Sequence, residues 1–134
     1  MAETDIWKKL RATLTESHLT RVENAISSGA PDVHGCHAGV DFWIELKMYA
    51  RLIKFRPSQI GWMAQRLRAG GDTYILSHNK TNGSYYLTSF KLATEAKAFI
   101  IHLQQPHLDT TKVNCYQYTK LDKHHLARML VEEW

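Results

Sequence analysis

The segment Asp41-Phe42-Trp43-Ile44-Glu45-Leu46-Lys47 alternates with the period of a strand. Phe42, Ile44 and Leu46 share one face, and Asp41, Trp43, Glu45 and Lys47 share the other. Upstream, Asp32-Val33-His34-Gly35-Cys36 is a second short extended run, and His37-Ala38-Gly39-Val40 can reverse the chain, Gly39 accepting the positive φ of a tight turn. With Ala38-Gly39 at the turn centre, antiparallel pairing sets Asp32 opposite Glu45, their Cβ atoms roughly 5 Å apart on one face. A slip of one residue would send Asp32 to the other face. In the first register, two carboxylates and the Lys47 ammonium converge from a single hairpin, a set of groups suited to metal-assisted phosphodiester cleavage.

The rest of the chain reads as mixed α and β in one continuous domain, residues 1–134, without repeats or low-complexity tracts. Its 134 residues with 44% hydrophobic content suffice for one core. Ile6, Leu10 and Leu14, then Leu19, Val22 and Ile26, predict an N-terminal helical region ended by Gly29 and Pro31. Arg56-Pro57-Ser58 opens a second helix bearing Ile60, Met63, Ala64 and Leu67, stopped by Gly70-Gly71. Thr73 to Ser77 reads as a central strand, and Asn82-Gly83 turns the chain into Tyr85 to Thr88. A further helix is predicted from about Ser89 to Gln104, a strand within Lys112 to Tyr118, and a last helix near Asp122 to Glu133 with Leu126, Met129, Leu130 and Trp134 as its stripe. The fold class is α/β, an α+β arrangement with a mixed sheet, in the order helix, β-hairpin, helix, strand, strand, with C-terminal helices.

No apolar stretch approaches a bilayer span, and Met1-Ala2-Glu3-Thr4-Asp5 is acidic where a secretory signal would be basic and then apolar, so an intracellular protein away from membranes is expected: cytoplasmic, or in the host cytoplasm if the source is viral. Cys36 and Cys115 are too few for a disulfide framework or an all-cysteine zinc site. The formal charge is +4 and the pI about 9.1, with Lys47, Arg51, Lys54, Arg56, Arg66 and Arg68 crowded after the carboxylates. A charge run alone favours a solvated surface of no consequence.

Each candidate has a plainer alternative. Asp32 after Pro31 could cap a turn, and Glu45 could pair with Lys47, but a surface ion pair would not explain an acid across the hairpin. Thr20-Arg21-Val22-Glu23 fits a capping box, yet Glu23 also lies between Leu19 and Ile26 on the apolar side, where an unpaired charge is costly; both readings stand. Gln59, in the first helical turn, is either a solvated polar residue or a phosphate contact. His34-Gly35-Cys36-His37 offers three zinc ligands at spacings too close for a usual site. His124-His125 reads as a solvated pair, and no serine or cysteine nucleophile is evident.

An acid on the first helix (Glu23), a Gly-Ala-Pro-Asp turn (Gly29 to Asp32), a Glu-Leu-Lys strand (Glu45 to Lys47) and a glutamine opening the next helix (Gln59), in that order, resemble the PD-(D/E)XK nuclease superfamily, nearest to its VRR-NUC and Holliday-junction-resolvase branches. The resemblance spans about Arg21 to Ser77. It implies a restriction-endonuclease-like core and a metal-dependent DNA endonuclease, with Asp32, Glu45, Lys47, Glu23 and Gln59 at the catalytic centre. Asp32, Glu45 and the backbone carbonyl of Leu46 would bind Mg²⁺, with Mn²⁺ the alternative, and Glu23 would join them directly or through water. Arg21, Arg51, Lys54, Arg56, Gln59 and Arg66 would contact nucleic acid. The implied substrate is branched DNA cut by a homodimer, as in junction resolution. Flap cutting or nicking, a non-catalytic DNA-binding module and an RNA-directed enzyme are the alternatives.

Overall fold

The computed structural model describes residues 3–22, 29–51, 53–89 and 114–131. Within them lie helices α1 (Glu3–Thr13), α2 (Pro57–Arg68) and α3 (Lys123–Val131) and strands β1 (His18–Arg21), β2 (Val33–His37), β3 (Val40–Tyr49), β4 (Tyr74–Asn79), β5 (Tyr85–Ser89) and β6 (Asn114–Tyr118). The strands form one six-stranded sheet in sequence order. Only β3 and β4 pair in parallel, and α2 supplies the crossover that a parallel connection requires.

The hairpin adopts the register that opposes the two acids. Val33 pairs with Ile44 and His37 with Val40, so the next step of the ladder sets Asp32 against Glu45. Ala38 (φ 51°) and Gly39 (φ 82°) both occupy the left-handed region, the two-residue turn whose twist matches its strands.

Alternation divides the sheet into two packed faces. Phe42, Ile44 and Leu46 of β3 join Tyr74, Leu76, Leu87, Ile6 and Leu10 of α1, and Leu126 and Leu130 of α3 in one buried cluster. The other face carries Trp43, Glu45 and Lys47 beneath α2, whose Gln59, Met63, Ala64 and Leu67 are buried. β4 is buried on both faces, as a central strand should be, and the Tyr74 hydroxyl donates to the Leu130 carbonyl at 3.0 Å, fastening α3 to the sheet.

The N-terminal helical region is shorter than its apolar spacing predicts. α1 ends at Thr13, and Leu19 and Arg21 lie in edge strand β1, paired antiparallel with β2. Leu19 and Val22, three residues apart, fit a helical spacing, but in the strand it is Leu19 and Arg21 that share the inward face. The turn at 15–17 and the free edge of β2 decide for the strand, because pairing there satisfies the backbone groups of both. The capping box therefore fails at its first residue: Thr20 is a strand residue opposite His34. The predicted helix beyond Ser89, the predicted end of the last helix at Glu133 and Trp134 of its stripe lie outside the described residues; Ser89 itself closes β5. Among the described residues no helix is long and apolar enough to cross a membrane.

Candidate active site

Asp32 is clamped from two directions just before β2 begins. Its Oδ2 accepts the Leu46 N–H at 2.9 Å, and its main-chain carbonyl accepts the Val22 N–H at 2.7 Å. The first bond draws the carboxylate across to β3 beside Glu45, and the second ties the same residue to the end of β1. A half-buried side chain held by a strand N–H keeps one orientation.

Glu45 is buried, at 1% exposure. Burial first, then the neighbouring Asp32 carboxyl, push its carboxyl up to about 10, and the Lys47 charge opposes them. Its Oε2 meets no donor among the described residues, and its Oε1 receives only a long 3.4 Å bond from Gln59 Nε2. Two facing carboxyls deep in a protein either share a proton or hold a cation.

Gln59 is the hub of the site. Only 4% exposed, it accepts at Oε1 from the Lys47 ammonium (3.0 Å) and from the Arg56 N–H (2.8 Å), while its amide nitrogen reaches Glu45. The Arg56 bond satisfies a backbone donor at the mouth of α2, so one side chain caps the helix and orients both the acid and the ammonium. Lys47 also lies 4.9 Å from the centre of the Phe55 ring. Gly29 (φ 85°) packs so closely on α2 that a Cβ there would stand 2.1 Å from the Ser58 carbonyl oxygen. The Gly-Ala-Pro-Asp turn is thus seated on the helix turn that carries Gln59.

The structure brings Asp32, Glu45, Lys47, Gln59 and the Leu46 backbone together. Glu23 lies outside the described residues. Arg51, Lys54 and Arg56 are exposed on the segment between β3 and α2, just beyond Lys47, and Arg66 lies farther along α2, 6.0 Å from the Trp62 ring. Arg21 sits 5.9 Å from the Trp7 ring of α1, on the sheet face opposite Asp32.

The histidines do not converge on a zinc site. His34 stacks on Trp43 and lies 3.8 Å from Asp41, whereas His37 pairs with Ser17 Oγ at 2.8 Å on the other face. His125 is half-buried rather than solvated, its Nδ1 2.6 Å from the Tyr118 hydroxyl.

Reading the sequence missed Gly29 as a seat for α2, Phe55 beneath Lys47, and the contact of Trp43 with Trp62. Only Trp43 left a signal, an indole on the polar face of its strand two residues before Glu45. As for a metal, no group of three His, Cys, Asp or Glu side chains clusters among the described residues. The orphaned Glu45 oxygen facing Asp32 does fit a hard cation, which takes carboxylate, carbonyl and water oxygens.

No protein-family model matches the chain, and no curated protein is detectably similar to it in sequence. Among solved structures, the 1.6 Å structure of Archaeoglobus fulgidus Hjc, a Holliday junction resolvase from an archaeal hyperthermophile, matches with a TM-score of 0.53 at 15% identity, over 92% of this chain and 98% of that one. The chain has the fold of that resolvase. The mixed sheet and flanking helices expected from the sequence are those observed.

Proposed function

We propose that this chain is a divalent-metal-dependent endonuclease of the PD-(D/E)XK type that cuts branched DNA, resolving junctions as a homodimer built from single domains spanning residues 1–134. The observation that carries this reading is the opposition of Asp32 and Glu45 across the hairpin, with Lys47 on the same face and one Glu45 oxygen buried without a donor. The likeness to a resolvase fold supports it.

Asp32, Glu45 and the Leu46 carbonyl would hold Mg²⁺ or Mn²⁺, with Glu23 contributing directly or through water. When bound, the ion supplies an activated water and offsets charge on the phosphate. Lys47, fixed by Gln59, orients the attacking water and stabilises negative charge developing on the phosphorus oxygens. The water oxygen bonds to phosphorus as the bond to the 3′ oxygen breaks, leaving a 5′-phosphate and a 3′-hydroxyl. Arg51, Lys54 and Arg56 hold the flanking backbone without reading sequence, as selection by structure requires.

The test incubates the protein and Asp32→Ala with a four-way junction, a flap, linear duplex, single-stranded DNA and RNA, in Mg²⁺ or chelator. Paired, metal-dependent cuts on opposing strands of the junction support the reading. Cutting confined to the flap, or to RNA, replaces the substrate. No metal-dependent cutting of any substrate leaves a binding module.

A further inference from the structure

Both strands that supply a carboxylate also carry an aromatic ring two residues nearer the turn, on the same face. Asp32 is followed by His34, and Glu45 is preceded by Trp43. His34 and Trp43 are direct cross-strand partners, with ring centroids 4.5 Å apart and planes inclined by 23°. Trp62 of α2 extends the group, its ring centroid 5.1 Å from that of Trp43. The Arg66 guanidinium lies 6.0 Å from the Trp62 ring, one turn farther along α2, away from Gln59. Along α2 the order Gln59, Trp62, Arg66 follows one flank of the helix. The cluster is therefore a half-buried aromatic ledge that leads out of the catalytic centre and ends in a cation.

We propose that His34, Trp43 and Trp62 form a stacking subsite for the base of one unpaired nucleotide next to the phosphate held at Asp32 and Glu45, with Arg66 taking the following phosphate. This deepens the nuclease reading and rests on it. A two-residue step along a strand is about 6.7 Å, comparable to the separation of successive phosphates in an extended nucleic-acid strand. Ring faces are the sequence-tolerant way to hold an unstacked base, and a cation at each end, Lys47 and Arg66, suits the phosphates on either side of it. The exposed residues of α2 are Pro57, Ser58, Gly61, Gln65 and Arg68, a face without large apolar side chains that suits a nucleic acid better than the apolar core of a contact between copies. The His34 side chain is 42% exposed, which leaves the ledge open at its sheet end. A subsite that accepts only a base freed from pairing favours cutting where a duplex is interrupted.

The test uses a single-stranded oligonucleotide carrying 2-aminopurine, and the same strand in duplex, titrated in chelator so that no cutting occurs. With saturating protein, the single-stranded probe should be quenched strongly and the paired probe only weakly. Trp62→Ala and His34→Ala should weaken single-strand binding about tenfold and abolish most of the quench, with the salt dependence unchanged, because no phosphate contact is lost. Trp62→Phe should retain both. Saturation without quench, or quench that survives both alanine variants, overturns the proposal. So does loss of dimer in sedimentation by Trp62→Ala with the quench intact, which makes the ledge a contact between copies. Cutting is scored separately in Mg²⁺: quench without cutting keeps the subsite and removes the nuclease, and cutting without quench does the reverse.

Discussion

The Lys47 ammonium donates a 3.0 Å hydrogen bond to Gln59 Oε1, joining the last polar residue of the Glu-Leu-Lys strand to the first turn of α2. The same oxygen accepts the Arg56 N–H, so the helix cap and the Lys47 ammonium depend on one buried amide.

Removing that amide should cost both stability and rate. Gln59→Ala should lower unfolding free energy by about 1–2 kcal/mol, for a lost cap and lost buried hydrogen bonds, and slow cutting roughly tenfold to a hundredfold through the freed Lys47. Gln59→Glu keeps the acceptor but adds a third acid beside Glu45. It should hold Lys47 yet destabilise the fold above neutral pH. Urea titration and single-turnover cutting on the same variants separate the two effects.

Glu45 makes folding take up a proton. Its folded carboxyl titrates near 10 against 4.5 when free, so its contribution is fully present below the lower value and is lost as pH rises toward the upper one. Without added metal, stability should fall between about pH 5 and about pH 9. Glu45→Gln should flatten that slope and exceed the parent in stability at the alkaline end. Added Mg²⁺ should raise the parent's alkaline stability and leave the variant unchanged. Urea midpoints at both pH values, with and without Mg²⁺, measure all of this.

Gly29 and Gly70 test how the turn seats α2. Both have positive φ, near 85° and 90°, but a Cβ meets the Ser58 carbonyl at Gly29 and nothing within 4 Å at Gly70. Gly70→Ala should cost about 1 kcal/mol from backbone strain alone. Gly29→Ala should cost clearly more and also impair cutting, since its relief displaces Gln59. Equal costs from denaturant unfolding would mean that the contact is not a constraint.

Ala38 occupies the first position of the hairpin turn with φ 51°, a conformation that asparagine tolerates better. Ala38→Asn should raise the unfolding free energy by about 0.5–1 kcal/mol with cutting unchanged, read from denaturant midpoints.

The hairpin could be read from sequence because three constraints agreed there: alternation from Asp41 to Lys47, a turn-forming Gly39, and an acid at the distance from the turn that opposes Glu45. The second helix was readable for a similar reason, with Pro57 at its start and Gly70 past its end. The stretch around Leu19 misled because Leu19, Val22 and Ile26 repeat at a helical spacing, whereas the strand there is set by pairing with the edge of β2, a partner that no local spacing shows. The burial of Gln59 was illegible, because a long polar side chain is buried only where partners 12 and 14 positions away, Lys47 and Glu45, satisfy it. Trp43 and Trp62 meet only after the crossover helix folds back over the sheet.

The most direct measurement is the single-turnover rate of junction cutting in Mg²⁺ by the parent chain and by Asp32→Asn, which keeps an oxygen for the Leu46 N–H but loses the charge. The account predicts a fall of about a thousandfold or more, as for loss of a metal-binding or charge-stabilising group, with an unchanged circular dichroism spectrum. Cutting by Asp32→Asn within a few-fold of the parent, or parent activity that persists in chelator, would contradict it.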